Sequence, residues 1–135
     1  MKKYLIILIL LFSGFVMKAQ DNDEGKGDKI RDRMTTYVQE KLGLTKDEAD
    51  KFTPVFIRYF KEFRQTHQDY KNDRLVLQQK IVELRIRYRT EFRTIMDEQK
   101  ANKVYVFEDQ FRKEVKGMID RQRDRVEQAK QRKNL

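Results

Sequence analysis

The chain is predicted to be all-α, with four helices arranged as two related helical hairpins. Three observations predict this. From Ile30 onward apolar residues recur at three- and four-residue spacing. Charged residues make up 39% of the chain, above the roughly 25% of ordinary domains, so thin amphipathic helices suit it better than a thick core. And a short stretch occurs twice: Leu44-Thr45-Lys46-Asp47-Glu48 opens one long helical pattern, and Ile95-Met96-Asp97-Glu98-Gln99 opens another, 51 positions later. Eleven residues after each start stands the same apolar set, Val55, Phe56 and Phe60 in the first copy and Val106, Phe107 and Phe111 in the second.

The first 19 residues form a separate object. Lys2 and Lys3 precede an apolar run from Tyr4 to Met17, and Lys18-Ala19-Gln20 follows. This pattern reads as a secretory signal peptide cleaved after Ala19, because the run is shorter than the ~20 apolar residues of a spanning helix. Of 31 basic residues three lie in this segment, which leaves 28 against 22 acidic ones, a net charge of +6. The chain has no cysteine, so neither disulfide staples nor a lipidated cysteine is available, and helix packing or oligomerisation must supply stability.

Residues 20–29 contain no apolar side chain and are expected to be a flexible acidic leader to a helical domain spanning 30–135. A calcium loop is the sharper reading of its carboxylates, but a frame from Asp21 puts Lys26 and Asp32 where Gly and Glu are required. Ile30, Met34, Tyr37, Val38 and Leu42 make the first helix, which Gly43 can end in the left-handed conformation. Thr45 caps the second helix, and Glu48 completes a capping box. That helix carries Phe52, Val55, Phe56, Tyr59, Phe63 and His67 on one face, and Pro54 should bend it or mark its true start. Asn72-Asp73 breaks the chain before a third helix built on Leu77, Ile81, Leu84, Tyr88, Phe92 and Ile95. The fourth, with Ala101, Val104, Phe107, Phe111, Val115, Met118 and Val126, should exceed 30 residues, so an elongated molecule or a paired one is expected. Its basic tail from Arg121 to Leu135 is poor in apolar residues.

The residue types argue against enzymatic chemistry. After residue 20 there is no Ser and no Cys, and the single histidine is His67, so no nucleophilic triad can be assembled. No Glu lies three residues before His67 to form a helical metal-ligand pair, so neither metal nor other cofactor is expected. The glycines form no phosphate-binding loop. Carboxylates such as Glu83 and Glu91 flank Arg87 at four-residue spacing and read as a self-compensating solvated face.

The third helix carries the candidate site. Arg85, Arg89 and Arg93 line the flank opposite Glu83 and Glu91, without acidic partners, and Leu75, Val82 and Ile86 project on that side. Three occupants are open for this mixed basic and apolar face: a second copy of the chain, with arginines snorkelling along the seam; an unfolded or acidic polypeptide, drawn in by charge and held by adaptable apolar contacts; or anionic lipid or nucleic acid. An export signal removes the chain from nucleic acid.

The twin motifs resemble those of the Spy/CpxP-like family of small periplasmic helical proteins, marked by two L-T-x-x-Q motifs that each open a long helix. Here Leu44, Thr45 and Glu48 stand in the first copy and Ile95, Asp97 and Gln99 in the second. The run Phe52-Thr53-Pro54-Val55-Phe56 looks like the F-W-P-V-Y run of a branch labelled sensors of extracytoplasmic-function sigma factors. The resemblance covers about residues 30–120. It implies a curved, cradle-like antiparallel homodimer in the periplasm, acting as an ATP-independent chaperone for unfolded proteins or as an adaptor of a membrane stress regulator. It carries over no functional residue, because the motif positions are structural turns. The expectation is thus a non-enzymatic envelope-stress protein that binds polypeptide through Arg85, Arg89, Arg93, Val82 and Ile86. The alternatives are a sensor or adaptor for a sigma factor or sensor kinase, and a peripheral envelope-binding structural protein.

Overall fold

The computed structural model describes residues 21–134, and the expected export signal, residues 1–19, lies outside them. Among the described residues the chain is all-helical, with four helices and no strand. They are α1 (Asp21–Leu42), α2 (Lys46–Asp69), α3 (Arg74–Phe92) and α4 (Glu98–Lys133). By its contacts the chain divides after Arg33, within α1.

Up to Arg33 the chain corrects one expectation: the segment read as a flexible leader is helical from Asp21, nine residues ahead of Ile30. A helix needs apolar residues only where it is packed, and charges spaced along its surface can support it instead. Here Arg31 pairs with Asp28 at 3.1 Å and with Asp32 at 3.0 Å.

From Met34 onward one core is built by all four helices. Met34, Val38 and Leu42 come from α1, Phe52, Phe56, Tyr59, Phe60 and Phe63 from α2, Leu84, Tyr88 and Phe92 from α3, and Ala101 and Val104 from α4. The α2 stripe meets α3 in opposite chain directions. Phe52 lies 5.2 Å from Phe92 and Tyr59 lies 5.3 Å from Tyr88, while Arg58 pairs with Glu91 and Glu62 with Arg87 along the edge. Those two bridges correct the reading of Glu83, Arg87 and Glu91 as a self-compensating face. Arg87 and Glu91 reach across to α2 because a packed neighbour brings opposite charges closer than the next helical turn does.

The turns follow the local chemistry read from sequence. Gly43 has φ +61°, and the N–H groups of Gly43 and Leu44 return to the carbonyls of Glu40 and Gln39, the paired closure that ends α1. Thr45 Oγ1 accepts from the Glu48 N–H at 3.2 Å, and Glu48 Oε1 accepts from the Thr45 N–H at 3.1 Å, which is the expected capping box. Asp73 caps α3 by accepting from the Val76 N–H, and Asp97 caps α4 by accepting from the Lys100 N–H. Ile95 falls in the turn after α3 rather than in the helix. Leu44 and Ile95, at matching places in the two motifs, are half-buried against the core, while Gln99 is exposed.

α2 runs through Pro54 rather than starting after it. Proline cannot supply the N–H that would pair with the carbonyl four residues earlier, and α1 docks one position before this gap. Gln39 Nε2 donates to Thr53 Oγ1 at 2.7 Å, and the Thr53 hydroxyl donates to the Ala49 carbonyl at 2.9 Å.

The two motif copies open their helices alike but bury different faces. In α2, Phe56 and Phe60 are buried and Val55 is half-buried, whereas in α4 Val106 is exposed and Phe107 and Phe111 are only half-buried. The buried positions of α4 are Ala101, Val104 and Glu108. A helix start fixes where a helix begins, while the neighbours available decide which side of it is covered. Met118 and Val126, expected on the packed face, are exposed.

Candidate functional site

The flank of α3 singled out from sequence divides into two parts of different character. Arg85 points to α4 and enters a buried ionic node. Glu108, 0% exposed, receives hydrogen bonds from the Tyr59 hydroxyl at 2.6 Å, from Arg85 Nη2 at 2.8 Å and from Arg112 Nη2 at 3.0 Å. Arg85 also donates to Asp109 at 2.6 Å and to the Tyr59 oxygen at 3.3 Å, and its guanidinium lies 5.1 Å from the Tyr105 ring centroid. The Tyr105 hydroxyl in turn donates to the Arg85 carbonyl at 2.7 Å. Among the described residues no buried side-chain N or O atom lacks a partner, so the charges in this node are compensated as burial demands.

The electrostatics follow from that arrangement. Burial, reinforced by the Glu108 charge, pushes the Tyr59 phenol well above its ordinary range, so it stays a neutral donor. Burial alone would favour losing the Arg85 proton, but the hydrogen bond to Asp109 and the Glu108 charge outweigh it and hold Arg85 above its usual value. Burial likewise raises Tyr105. Tyr59, Tyr105 and Arg85 thus keep their protons. The arrangement is suited to fastening helices rather than to proton transfer.

The expectation that Arg85, Arg89 and Arg93 all lack acidic partners is therefore corrected. Arg93 pairs with Glu98 at 3.0 Å and contacts Asn102 at 3.5 Å. Both sets of partners lie on α4, out of reach of an argument confined to one helix. Arg89 is half-buried and is the one of the three that forms no ion pair among the described residues.

The apolar part of the flank is where sequence placed it. Val82 is 54% exposed, Ile86 52% and Leu75 78%, on the side of α3 opposite Leu84, Tyr88 and Phe92. α4 adds Val106, 50% exposed, the first residue of the repeated apolar set. At about 100° per residue, Val106 shares its side of α4 with Asn102 and Asp109, the residues that reach Arg93 and Arg85. Those two cross-links bracket Ile86 and Arg89 on α3 and Val106 on α4. The result is one exposed strip of aliphatic side chains around an uncompensated guanidinium.

Sequence reasoning missed Glu108, although the signal was present. Ala101, Val104, Glu108, Phe111 and Val115 repeat at spacings of three and four, and a lone carboxylate in such a stripe must find buried donors.

His67 is exposed and lies 4.6 Å from the Phe63 ring centroid. Partial desolvation and the Arg112 charge lower its affinity for a proton. The unfolded chain then binds more protons than the folded one, so this residue's contribution to stability grows as pH rises toward about 6.5, the ordinary histidine value, and diminishes in acid. As the chain's single histidine, its ring C–H resonance should titrate with a midpoint below 6.5 in a proton NMR series; a midpoint at or above that value would contradict this placement.

Among the described residues no group of three or more His, Asp or Glu side chains is placed to hold a metal ion. An open cleft of about 390 Å³ between the end of α2 and the start of α3 is lined by Thr66, Asp69, Lys80, Glu83 and Arg87. Lys80 pairs with Glu83 and Arg87 with Glu62, and Asp69 accepts from Gln65 Nε2 at 2.8 Å, so each charge has a partner within the chain. Compared with protein-family models, curated proteins and solved structures, the chain has no significant match.

Proposed function

We propose that the protein is a non-enzymatic, exported envelope-stress protein that binds unfolded or partner polypeptide in the periplasm without ATP. The exposed strip of Val82, Ile86 and Val106 around Arg89 carries this reading. A peptide in an unfolded state offers apolar side chains and acidic groups in no fixed order. A flat aliphatic surface with one uncompensated cation suits such a ligand, because charge speeds the encounter and apolar contact tolerates varied sequence. In the same reading the twin helix starts belong to two related hairpins, and the chain pairs into a cradle-like homodimer of the kind the L-T-x-x-Q resemblance implies.

The geometry supports a smaller face than sequence suggested. Arg85 fastens α4 to α2 and α3, and Arg93 is engaged by Glu98, so Val82, Ile86, Arg89 and Val106 are the residues to vary. Mixed with a reduced, aggregating client, the protein in several-fold excess should suppress light scattering in the absence of ATP. Val82→Ser, Ile86→Ser and Arg89→Glu combined should remove most of that suppression, while Arg64→Glu on the exposed side of α2 should leave it intact. Lack of suppression by the wild type would sink the chaperone reading. Equal suppression by the triple variant would move the binding face elsewhere. Arg85→Glu is unsuitable here, since it would drive a second charge against Glu108.

A further inference from the structure

We propose that the exposed C-terminal third of α4 docks lengthwise on an anionic membrane surface, as a site separate from the polypeptide-binding strip. α4 runs for 36 residues, about 54 Å, and every described residue from Arg121 onward is exposed. Nothing in the core requires this length of helix. With residues set about 100° apart, its side chains are largely sorted, although Gln122 and Lys133 fall on the apolar line itself. Val115, Ile119, Val126 and Ala129 continue the line of Ala101, Val104 and Glu108 past the end of the core, with Met118 at the edge. Ile119 and Val126 are 58% and 50% exposed.

Basic residues flank that apolar line on both sides. Arg121, Arg125 and Arg132 lie on one side, and Arg123 and Lys130 on the other. The acidic residues of the segment, Asp120, Asp124 and Glu127, gather on the opposite face, where Asp120 holds Arg123 at 2.7 Å. Between Val115 and Lys133 there are seven basic and three acidic residues. Lys130, Arg132 and Lys133 also suit the negative end of the helix dipole, but Arg121 and Arg125 stand too far back for that account.

This sorting is the pattern of a helix lying in a membrane interface, with aliphatic side chains facing the acyl boundary, guanidinium groups at headgroup level and carboxylates turned to water. Nucleic acid fits less well, because the segment holds no aromatic side chain to stack on bases. A second basic tail from another copy would be repelled. No helix among the described residues is long and apolar enough to cross a membrane. With only aliphatic residues of modest size on its apolar line, the segment should bind shallowly, reversibly and through charge, so salt should release it.

The chain has no tryptophan, which allows one to be placed as a local reporter in the full-length protein. Val126→Trp puts it on the docking line and Gln128→Trp on the water side. With phosphatidylglycerol-containing vesicles the Val126→Trp emission should shift to the blue, with pure phosphatidylcholine it should not, and high salt should reverse the shift. Adding Arg121→Glu and Arg125→Glu to the reporter should weaken apparent vesicle affinity by roughly tenfold or more, with helix content unchanged by circular dichroism. The proposal is overturned if the Val126→Trp emission does not respond, if Gln128→Trp responds equally, or if the reversed arginines change nothing. A response to polyglutamate but not to vesicles would overturn it in favour of an acidic peptide. Because the reporter reads the tail alone, failure here leaves the aggregation assay on Val82, Ile86 and Arg89 unaffected.

Discussion

Replacing Glu108 with alanine should lower the free energy of unfolding by about 3–5 kcal/mol, as read from the urea midpoint at unchanged slope. The size follows from what remains after the carboxylate is gone. Arg85 and Arg112 would face each other across the vacated site, the Tyr59 hydroxyl would lose its acceptor, and a cavity would open beside Val104. Removing one member of a buried ionic set costs more than the set contributes, because Arg112 would be left without its carboxylate and Arg85 with Asp109 alone. Replacing Arg85, Glu108 and Arg112 together with aliphatic residues of similar volume should therefore recover much of the loss. A single-substitution loss below about 1 kcal/mol would show that water or a rearranged Asp109 takes over, and that the node does not fasten α4.

Phe92→Ala should cost about 3–5 kcal/mol, whereas Ile86→Ala, six positions earlier on the same helix, should stay within about 0.5 kcal/mol. Phe92 is 0% exposed and touches three helices' worth of core. Its ring lies 5.2 Å from Phe52 of α2 and 6.2 Å from Tyr105 of α4, and 6.3 Å from Tyr88 within α3. Its removal loses apolar burial and leaves a void ringed by rigid aromatics that cannot collapse inward. Ile86 already faces solvent, so little burial is at stake. The pair of measurements tests which side of α3 is covered, and similar costs at both positions would mean the face is assigned wrongly.

Much of the architecture was legible because helix boundaries are local. A threonine three residues before a glutamate, an aspartate after an asparagine, and a glycine after the last apolar position each act through their own backbone, so Thr45, Asp73, Asp97 and Gly43 stand where the sequence placed them. The third helix was legible for a similar reason. Leu84, Tyr88 and Phe92 define a stripe that any neighbour would bury, and Val82 and Ile86 fall opposite it by geometry alone. The acidic start of α1 escaped this reasoning, since lack of apolar residues says only that a segment is unpacked, not that it is unwound.

The site was less legible because its decisive partners come from another helix. Arg85, Arg89 and Arg93 look equivalent along α3, spaced four apart on one flank. Only the lie of α4 distinguishes them, by bringing Glu108 and Asp109 to Arg85 and Glu98 to Arg93 while leaving Arg89 without a carboxylate among the described residues. The same packing explains why the second copy of the repeat does not bury what the first copy buries. By itself, then, the sequence determined an all-helical chain, the places where its helices start and stop, and the exposed aliphatic residues of α3, because capping and periodicity are properties of neighbours along the chain. The tertiary structure decided which charges are consumed and which remain for a partner, because an ion pair between helices depends on separations of a few ångströms that no spacing along one helix encodes.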